Sequence, residues 1–237
     1  RFRLSGLPAA ITAGTPGSVT VEALTPVGTR YTAYRGTVKF TATDGQATLP
    51  ADTTLTAADG GIRTLTNGLV LKTAGVHTVT AEDPASVDSF GRMTGSQSGI
   101  SVVAEAPAGP GGQPAVDHFV VEFLDANGNV TTAIPADTQL EIRVTARDRF
   151  GNILAGFNGP VQIALSSGRI TPSVVTLQAG GPPPGTRTLV RVEAGREASI
   201  TVTVNGVPAQ TAAGARVTLT VEVTATAKTS VGYPNPF

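Results

Sequence analysis

Several residue types that many functions require are rare or missing in this sequence of 237 residues. It contains no cysteine and no tryptophan, so disulfides and thiolate metal sites are excluded. Charged residues make up only 14% of the chain, against about a quarter in average globular proteins. Since 17 basic residues balance 17 acidic residues, no net charge attracts nucleic acid, and we predict no nucleic-acid partner.

Long apolar runs are also missing. No stretch approaches the roughly 20 apolar residues of a membrane-spanning helix, so we predict no direct membrane insertion. The sequence begins with Arg1 rather than methionine, and we expect it to be a processed or excised segment of a larger protein.

The sequence is rich in short segments that alternate apolar and polar residues. This period of two, together with many β-branched threonines, predicts half-buried β-strands. The predicted strands are Ser18–Ala23, Thr37–Thr41, Gly68–Lys72, His77–Ala81, Gly99–Val103, His118–Leu124, Gln139–Ala146, Pro160–Leu165, Thr186–Val192, Ser199–Val204 and Ala215–Val223. No segment has a helical period of comparable length, so we predict an all-β protein.

A proline- and glycine-rich stretch divides the strand pattern into two halves. We predict a first β-sandwich at 1–104, a linker at 105–115, a second sandwich at 116–227 and an extended tail at 228–237. A shift of 123 residues also superimposes matching residues of the two halves. The pairs are Val21 and Val144, Gly28 and Gly151, Tyr34 and Phe157, Gly36 and Gly159, Val38 and Val161, and Phe40 and Ile163. The repeat predicts two folding units of one kind.

The first half resembles the bacterial immunoglobulin-like repeats that occur in tandem in large secreted and surface proteins. Its phrases GLPAAITAGTPGSVTVEAL and LKTAGVHTVTAED carry the resemblance, as does ARDRFGN at Ala146–Asn152 in the second half. The loop of the first half that matches ARDRFGN reads LTPVGTR instead. The resemblance implies two tandem antiparallel immunoglobulin-like β-sandwiches in an extracellular or bacterial cell-surface protein.

The last five residues, YPNPF at Tyr233–Phe237, resemble the start of a C-terminal sorting domain of secreted bacterial proteins. That resemblance implies export and a natural chain that continues beyond Phe237. A proline-rich tail after the last strand is the other interpretation.

No catalytic motif is recognisable, and we predict that the chain is not an enzyme. His77 and His118 lie in different halves, each at the start of a predicted strand, where hydrogen bonding to neighbours or solvent is the simplest role. Aromatic residues are few, which argues against a carbohydrate-binding platform, and we place Phe40, Phe119 and Phe123 in the cores.

The only candidate cofactor is calcium. Asp125, Asn127 and Asn129 place oxygen-bearing side chains at alternate positions, as at the start of a calcium loop, and Asp148 and Asn152 could add ligands. The rest of a calcium loop is missing, because the twelfth position is Ala136. The competing interpretation is a hairpin turn, since Asn127-Gly128 joins two strand segments.

Two functional hypotheses remain open at this level. In the first, the chain is a non-catalytic spacer, stalk or building block. Its partners are then other domains of the same polypeptide, or further copies in a filament or sheath bound through edge strands or the C-terminal tail. In the second, it is an adhesin or an accessory domain of a secreted hydrolase that recognises protein or polysaccharide.

Overall fold

The computed structural model describes residues 1–88, 91–107, 114–131, 139–165, 169–191, 198–204, 207–208 and 218–221. In these ranges the regular structure is β-strand, apart from one 3-10 turn at Ala57–Asp59. None of the helical structure in this part of the chain is long and apolar enough to cross a membrane. The predicted all-β fold is confirmed.

The chain divides into two compact units. Unit 1 comprises Arg1–Glu105 together with Arg149–Asn152, and unit 2 comprises Ala106–Asp148 and Ile153–Phe237. A division along the sequence does not anticipate that Arg149–Asn152 belongs to unit 1. Most of the predicted linker and all of the predicted tail at 228–237 lie outside the described residues.

Unit 1 contains eight strands in two sheets. They are β1 (Phe2–Ser5), β2 (Ala10–Thr12), β3 (Pro16–Ala23), β4 (Thr37–Ala42), β5 (Thr53–Thr54), β6 (Ile62–Val70), β7 (Gly75–Asp88) and β8 (Gly91–Val103). One sheet has the order β1-β3-β6 and the other β2-β8-β7-β4-β5. All pairings are antiparallel except that of β2 with β8. The sheet of β1, β3 and β6 thus faces the sheet that contains β4, β7 and β8, which is the arrangement of an immunoglobulin-like sandwich.

The core of unit 1 lies between these two sheets. Alternation directs Val19 and Val21 of β3 inward, where they form one buried cluster with Val38 and Phe40 of β4 and with Val79 of β7. Lys39, between Val38 and Phe40, is exposed on the opposite face. The period of two therefore selected the buried side chains correctly.

Unit 2 has the same kind of architecture. Its strands are β9 (His118–Leu124), β10 (Val130–Thr131), β11 (Gln139–Arg147), β12 (Gly159–Leu165), β13 (Arg169–Thr171), β14 (Val174–Leu177), β15 (Thr188–Arg191), β16 (Ala198–Val204), β17 (Val207–Pro208) and β18 (Thr218–Val221). One sheet has the order β10-β9-β11-β15-β13. The other has the order β14-β12-β16-β17, with β18 also paired to β16.

The internal repeat is visible in three dimensions. The isolated bridges Leu24–Arg30 and Arg147–Ile153 differ by 123 positions at both ends. Each bridge closes a loop that contains a glycine at the matching position. These glycines, Gly28 and Gly151, have φ angles of +87° and +85°, a conformation that favours glycine. In the cores, the edge-to-face ring pair of Phe2 and Tyr34 corresponds to that of Phe119 and Phe157. The two units therefore repeat one backbone design around an aromatic pair.

The observed strands extend beyond several of the predicted ones. The segment predicted to start at Gly68 belongs to β6, which begins at Ile62, and the strand predicted at His77–Ala81 continues to Asp88. The short strands β1, β2, β5, β10, β13, β14 and β17 were not predicted. They span two to four residues, too few for a period of two to be recognised.

Candidate functional site

Asp125, Asn127 and Asn129 lie together in the turn that joins β9 to β10. The Asp125 Oδ1 atom accepts the backbone N–H groups of Asn127 and Asn129, each at 2.9 Å. The N–H of Gly128 donates to the Asp125 carbonyl at 2.9 Å, and Gly128 has φ +80°. The hydrogen bond from the Asn129 backbone is the main cause that lowers the pKa of Asp125. One carboxylate oxygen is thus engaged in closing a hairpin turn.

The two additional calcium candidates lie in different units. Asp148 is buried in unit 2, which also contains the Asp125–Asn129 turn, whereas Asn152 belongs to unit 1. Among the described residues, no three His, Asp or Glu side chains are grouped in a way that could hold a metal ion. Calcium at this turn remains a prediction. It can be tested by titrating the chain with Ca²⁺ while following the backbone amide resonances of Asn127 and Asn129.

Asn152 of the ARDRFGN motif bonds to the backbone of unit 1 through both ends of its side-chain amide. Its Oδ1 atom accepts the N–H of Ala74 at 2.7 Å, and its Nδ2 atom donates to the Lys72 carbonyl at 2.7 Å. Both ends of the amide are therefore paired with the backbone of one loop. An aspartate could accept from Ala74 but could not donate to Lys72, so this pairing selects asparagine.

The neighbours of Asn152 add a charged contact and an apolar contact. Arg149 Nε lies 2.6 Å from Glu105 Oε2, and the guanidinium lies 4.8 Å from the centre of the Phe150 ring. Phe150 packs against the core of unit 1 beside Gly14. A Cβ atom at Gly14 would come within 2.5 Å of the ring, so this close approach requires glycine.

The loop that receives Asn152 is held in place by the buried carboxylate of Asp44. Its Oδ2 accepts the N–H groups of Lys72 at 2.6 Å and Thr73 at 3.0 Å, and its Oδ1 accepts the Thr73 hydroxyl at 2.6 Å and the N–H of Gln46 at 2.9 Å. Burial by itself would raise the pKa of Asp44, but these hydrogen bonds, led by that of the Thr73 hydroxyl, lower it from 3.8 to about 2. Asp44 is therefore ionised in the folded protein at neutral pH.

His77 supports the same loop from β7. Its Nε2 atom donates to the Thr73 carbonyl at 2.7 Å, and its Nδ1 atom lies 3.2 Å from the Thr43 hydroxyl. Both ring nitrogens are thus bonded to neighbouring residues of unit 1. His118, in unit 2, lies 2.9 Å from its neighbour Asp117.

A second buried carboxylate, Asp83, holds the aromatic core residue Tyr34. The Tyr34 hydroxyl donates to Asp83 Oδ2 at 2.6 Å, and Asp83 Oδ1 accepts the N–H groups of Ala85 and Ser86 at a bulge of β7. Burial, reinforced by the neighbouring carboxylate, raises the pKa of Tyr34 well above its usual value of 10.0. The pair fixes the bulge of β7 to the segment before β4.

Replacing Tyr34 with phenylalanine is expected to lower the free energy of unfolding of unit 1 by about 1.5 kcal/mol at neutral pH. Asp83 would lose one donor in a buried site, and such a loss costs roughly 1–3 kcal/mol. Because the pKa of Tyr34 is higher in the folded than in the unfolded state, the protonated hydroxyl stabilises the fold fully below pH 10, and this contribution decreases as the pH rises further. The difference in unfolding free energy between wild type and variant should therefore shrink above pH 10. Denaturant unfolding between pH 7 and pH 11 measures both effects. A difference in unfolding free energy that grows with pH would contradict the hydrogen bond between Tyr34 and Asp83.

Glu22 is a third buried carboxylate with a structural role. Arg30 Nε donates to it at 2.7 Å and Arg3 also forms an ion pair with it, so that β1 and the Leu24–Arg30 loop are joined to β3. The Arg30 hydrogen bond is the main cause that lowers the pKa of Glu22. Both arginines are largely exposed, so each contact stabilises the fold only modestly.

Sequence reasoning missed the residues that receive the Arg149–Asn152 segment and the carboxylate that supports them. Asp44, Gly14 and the Lys72–Ala74 loop come from three separate parts of unit 1, and no periodic pattern connects them. The available signal was the phrase Thr-Ala-Gly, which occurs at Thr12–Gly14 and again at Thr73–Gly75. The structure brings the first copy next to the strand end that precedes the second, because the Gly14 N–H donates to the Leu71 carbonyl at 2.8 Å.

Comparison with known proteins shows only remote likeness. No family model and no curated protein matches this sequence. Among solved structures, the D0-D1 domain of intimin is 12% identical with a TM-score of 0.31, the alignment covering 87% of this chain and 91% of that one. Invasin, a bacterial integrin-binding protein, is 20% identical with a TM-score of 0.34, covering 95% and 39%. Domains 4-9 of the surface layer protein SbsC are 17% identical with a TM-score of 0.31, covering 95% and 31%.

Proposed function

We propose that the chain is a non-catalytic structural module of a bacterial extracellular or cell-surface protein, acting as a spacer or building block. The observation that carries this proposal is the use of the buried ionisable groups. Four of these groups hold loops or bulges of unit 1 against its strands through hydrogen bonds or ion pairs. They are Asp44, Asp83, Glu22 and His77. In the described part of the chain, every buried side-chain nitrogen or oxygen atom has a hydrogen-bond partner.

Such an arrangement suits a module that must keep its shape outside the cell. Buried polar groups that are fully paired make a fold rigid. The immunoglobulin-like architecture and the resemblance of the sequence to tandem surface repeats support the extracellular location. The adhesin hypothesis needs a recognition surface at the loops.

Limited proteolysis of the purified chain, followed by light scattering and electron microscopy, tests the proposal. We expect proteolytic fragments that correspond to folded sandwiches, because paired strands resist cleavage. Monodisperse particles would identify a spacer, whereas regular fibres would identify a filament or sheath. Rapid digestion within β3, β4 and β7 would contradict a rigid module, and specific retention on an array of proteins and polysaccharides would favour the adhesin.

A further inference from the structure

Unit 1 carries a recognition site for a four-residue segment. We name it the 149–152 seat and define it by Gly14, Lys72–Ala74 and Glu105. It offers space for an aromatic ring at Gly14, a carboxylate at Glu105, and a backbone carbonyl and N–H at Lys72 and Ala74. Arg149–Asn152 matches these features with a ring, a guanidinium and an amide. The seat therefore selects the bound segment by three side chains, which are the ring, the guanidinium and the amide.

Two residues of unit 1, Asp44 and His77, hold the backbone of the seat in place. Asp44 holds the N–H groups of Lys72 and Thr73, and His77 holds the Thr73 carbonyl. With these groups engaged, the Lys72 carbonyl and the Ala74 N–H are presented side by side to the amide. A loop that is already ordered loses little conformational entropy when a segment binds.

The bound segment is distant from the seat along the chain. Asn152 lies 78 and 80 positions from its two partners. The sequence leaves unit 1 after Glu105 through the proline- and glycine-rich stretch and returns to it at Arg149. The Arg149–Asn152 segment of another copy can make the same contacts, as in domain swapping, and the balanced net charge does not oppose association.

We propose that the 149–152 seat is an interaction surface between copies of this chain, occupied by the Arg149–Asn152 segment of a second copy. The inference deepens the proposed structural function, on which it rests, by naming the partner. Exchange that is mutual gives a closed dimer, and exchange passed on from copy to copy gives an open chain of modules. A chain's own tethered segment competes for the seat with an effective concentration of millimolar order. Exchange between copies therefore requires a comparable local concentration of chains, as on a densely packed surface.

The edge of β6 is less suited to this purpose than the seat. Arg63 of this edge strand pairs with the buried Val21, and its guanidinium donates to the Thr54 carbonyl at 3.3 Å. Asp59 lies 3.7 Å from the same guanidinium. An inward-facing charge on an edge strand opposes the addition of another strand.

Cross-linking between single-cysteine variants tests the exchange directly, because the natural sequence has no cysteine. Glu105→Cys and an isotopically heavy Arg149→Cys chain are mixed at about 0.5 mM, near the tethered effective concentration, and treated with a short bismaleimide. Neither variant can cross-link its own seat to its own segment, so a mixed dimer reports a segment bound in another copy. The matched control replaces Glu105→Cys with Asp52→Cys, at an exposed residue outside the seat.

We expect at least fivefold more mixed dimer with Glu105→Cys than with Asp52→Cys. Equal yields would overturn the proposal. They would leave the proposed structural function in place, because proteolysis and microscopy test that function without reference to the seat.

A peptide of residues 146–154 provides a second test that does not depend on cross-linking geometry. The whole chain with Phe150→Ala and Asn152→Ala has a weakened segment of its own and should bind the labelled peptide at least tenfold more tightly than wild type. A peptide with aspartate in place of Asn152 should bind at least tenfold more weakly, since it cannot donate to the Lys72 carbonyl. If hydrogen exchange shows unit 1 folded in the variant and the peptide still binds no better, the seat does not act between copies.

Discussion

Replacing Gly36 with alanine should lower the free energy of unfolding of unit 1 by about 3 kcal/mol or more. A Cβ atom at this position would overlap with Asp83 Oδ2 and with the hydroxyl of Tyr34. The added methyl group would separate this hydrogen-bonded pair inside the core, combining the cost of overpacking with that of an unpaired buried group. Calorimetry of the whole chain, with hydrogen exchange to assign each transition to a unit, would measure the loss.

The repeat provides a matched control in Gly159. This glycine occupies the equivalent position in unit 2, where Phe157 replaces the tyrosine, and a Cβ atom there would meet no atom of the described residues within 4 Å. Gly159→Ala should therefore change the stability of unit 2 by less than about 1 kcal/mol. If the two substitutions cost the same, the close approach of Tyr34 and Asp83 to Gly36 would not be the cause.

Replacing Asp44 with alanine is expected to lower the free energy of unfolding of unit 1 by about 3 kcal/mol at neutral pH. The substitution removes the acceptor of three backbone N–H groups and of the Thr73 hydroxyl, and Asp44 as a residue is only 4% exposed. Donors left unpaired in a buried site are costly. The exposed Asp52 is the control, and its replacement by alanine should cost less than about 0.5 kcal/mol.

The same carboxylate predicts how stability depends on acid. The pKa of Asp44 in the folded protein, about 2, lies below its ordinary value of 3.8, so its contribution is present above about pH 4 and is lost as the pH falls toward 2. At 1.36 kcal/mol per pH unit, this difference corresponds to about 2 kcal/mol. Wild type and Asp44→Asn should therefore converge between pH 4 and pH 2 in denaturant titrations. A constant difference across this range would contradict an ionised, hydrogen-bonded Asp44.

Much of the fold follows from local patterns. The alternation in β9 predicted its bounds without error, and those of β3, β4, β11 and β16 to within two residues, because one face of each strand packs on a core. The repeat of 123 residues correctly paired Tyr34 with Phe157 and Gly28 with Gly151. These features depend on residues close together along the chain, or on one design used twice.

The candidate site was much less accessible to sequence reasoning. The sequence identifies ARDRFGN as a feature of tandem repeats and offers Asn152 as a calcium ligand, but it does not indicate that the Asn152 amide bonds to the backbone of Lys72 and Ala74. Its amide binds backbone atoms, and backbone atoms carry no residue-specific signal. In the same way, no local pattern marks Asp44, whose hydrogen bonds reach Lys72 and Thr73 almost thirty residues away.

The sequence by itself determined the all-β class, the two repeated halves and the faces that are buried, because a period of two and a fixed repeat are visible in one dimension. Only the tertiary structure decided that Arg149–Asn152 completes unit 1 and that Asp44, His77 and Asp83 hold its loops and bulges. Those contacts join segments that are far apart in the chain. They depend on the meeting of particular backbone atoms, and this is settled only when the strands have packed.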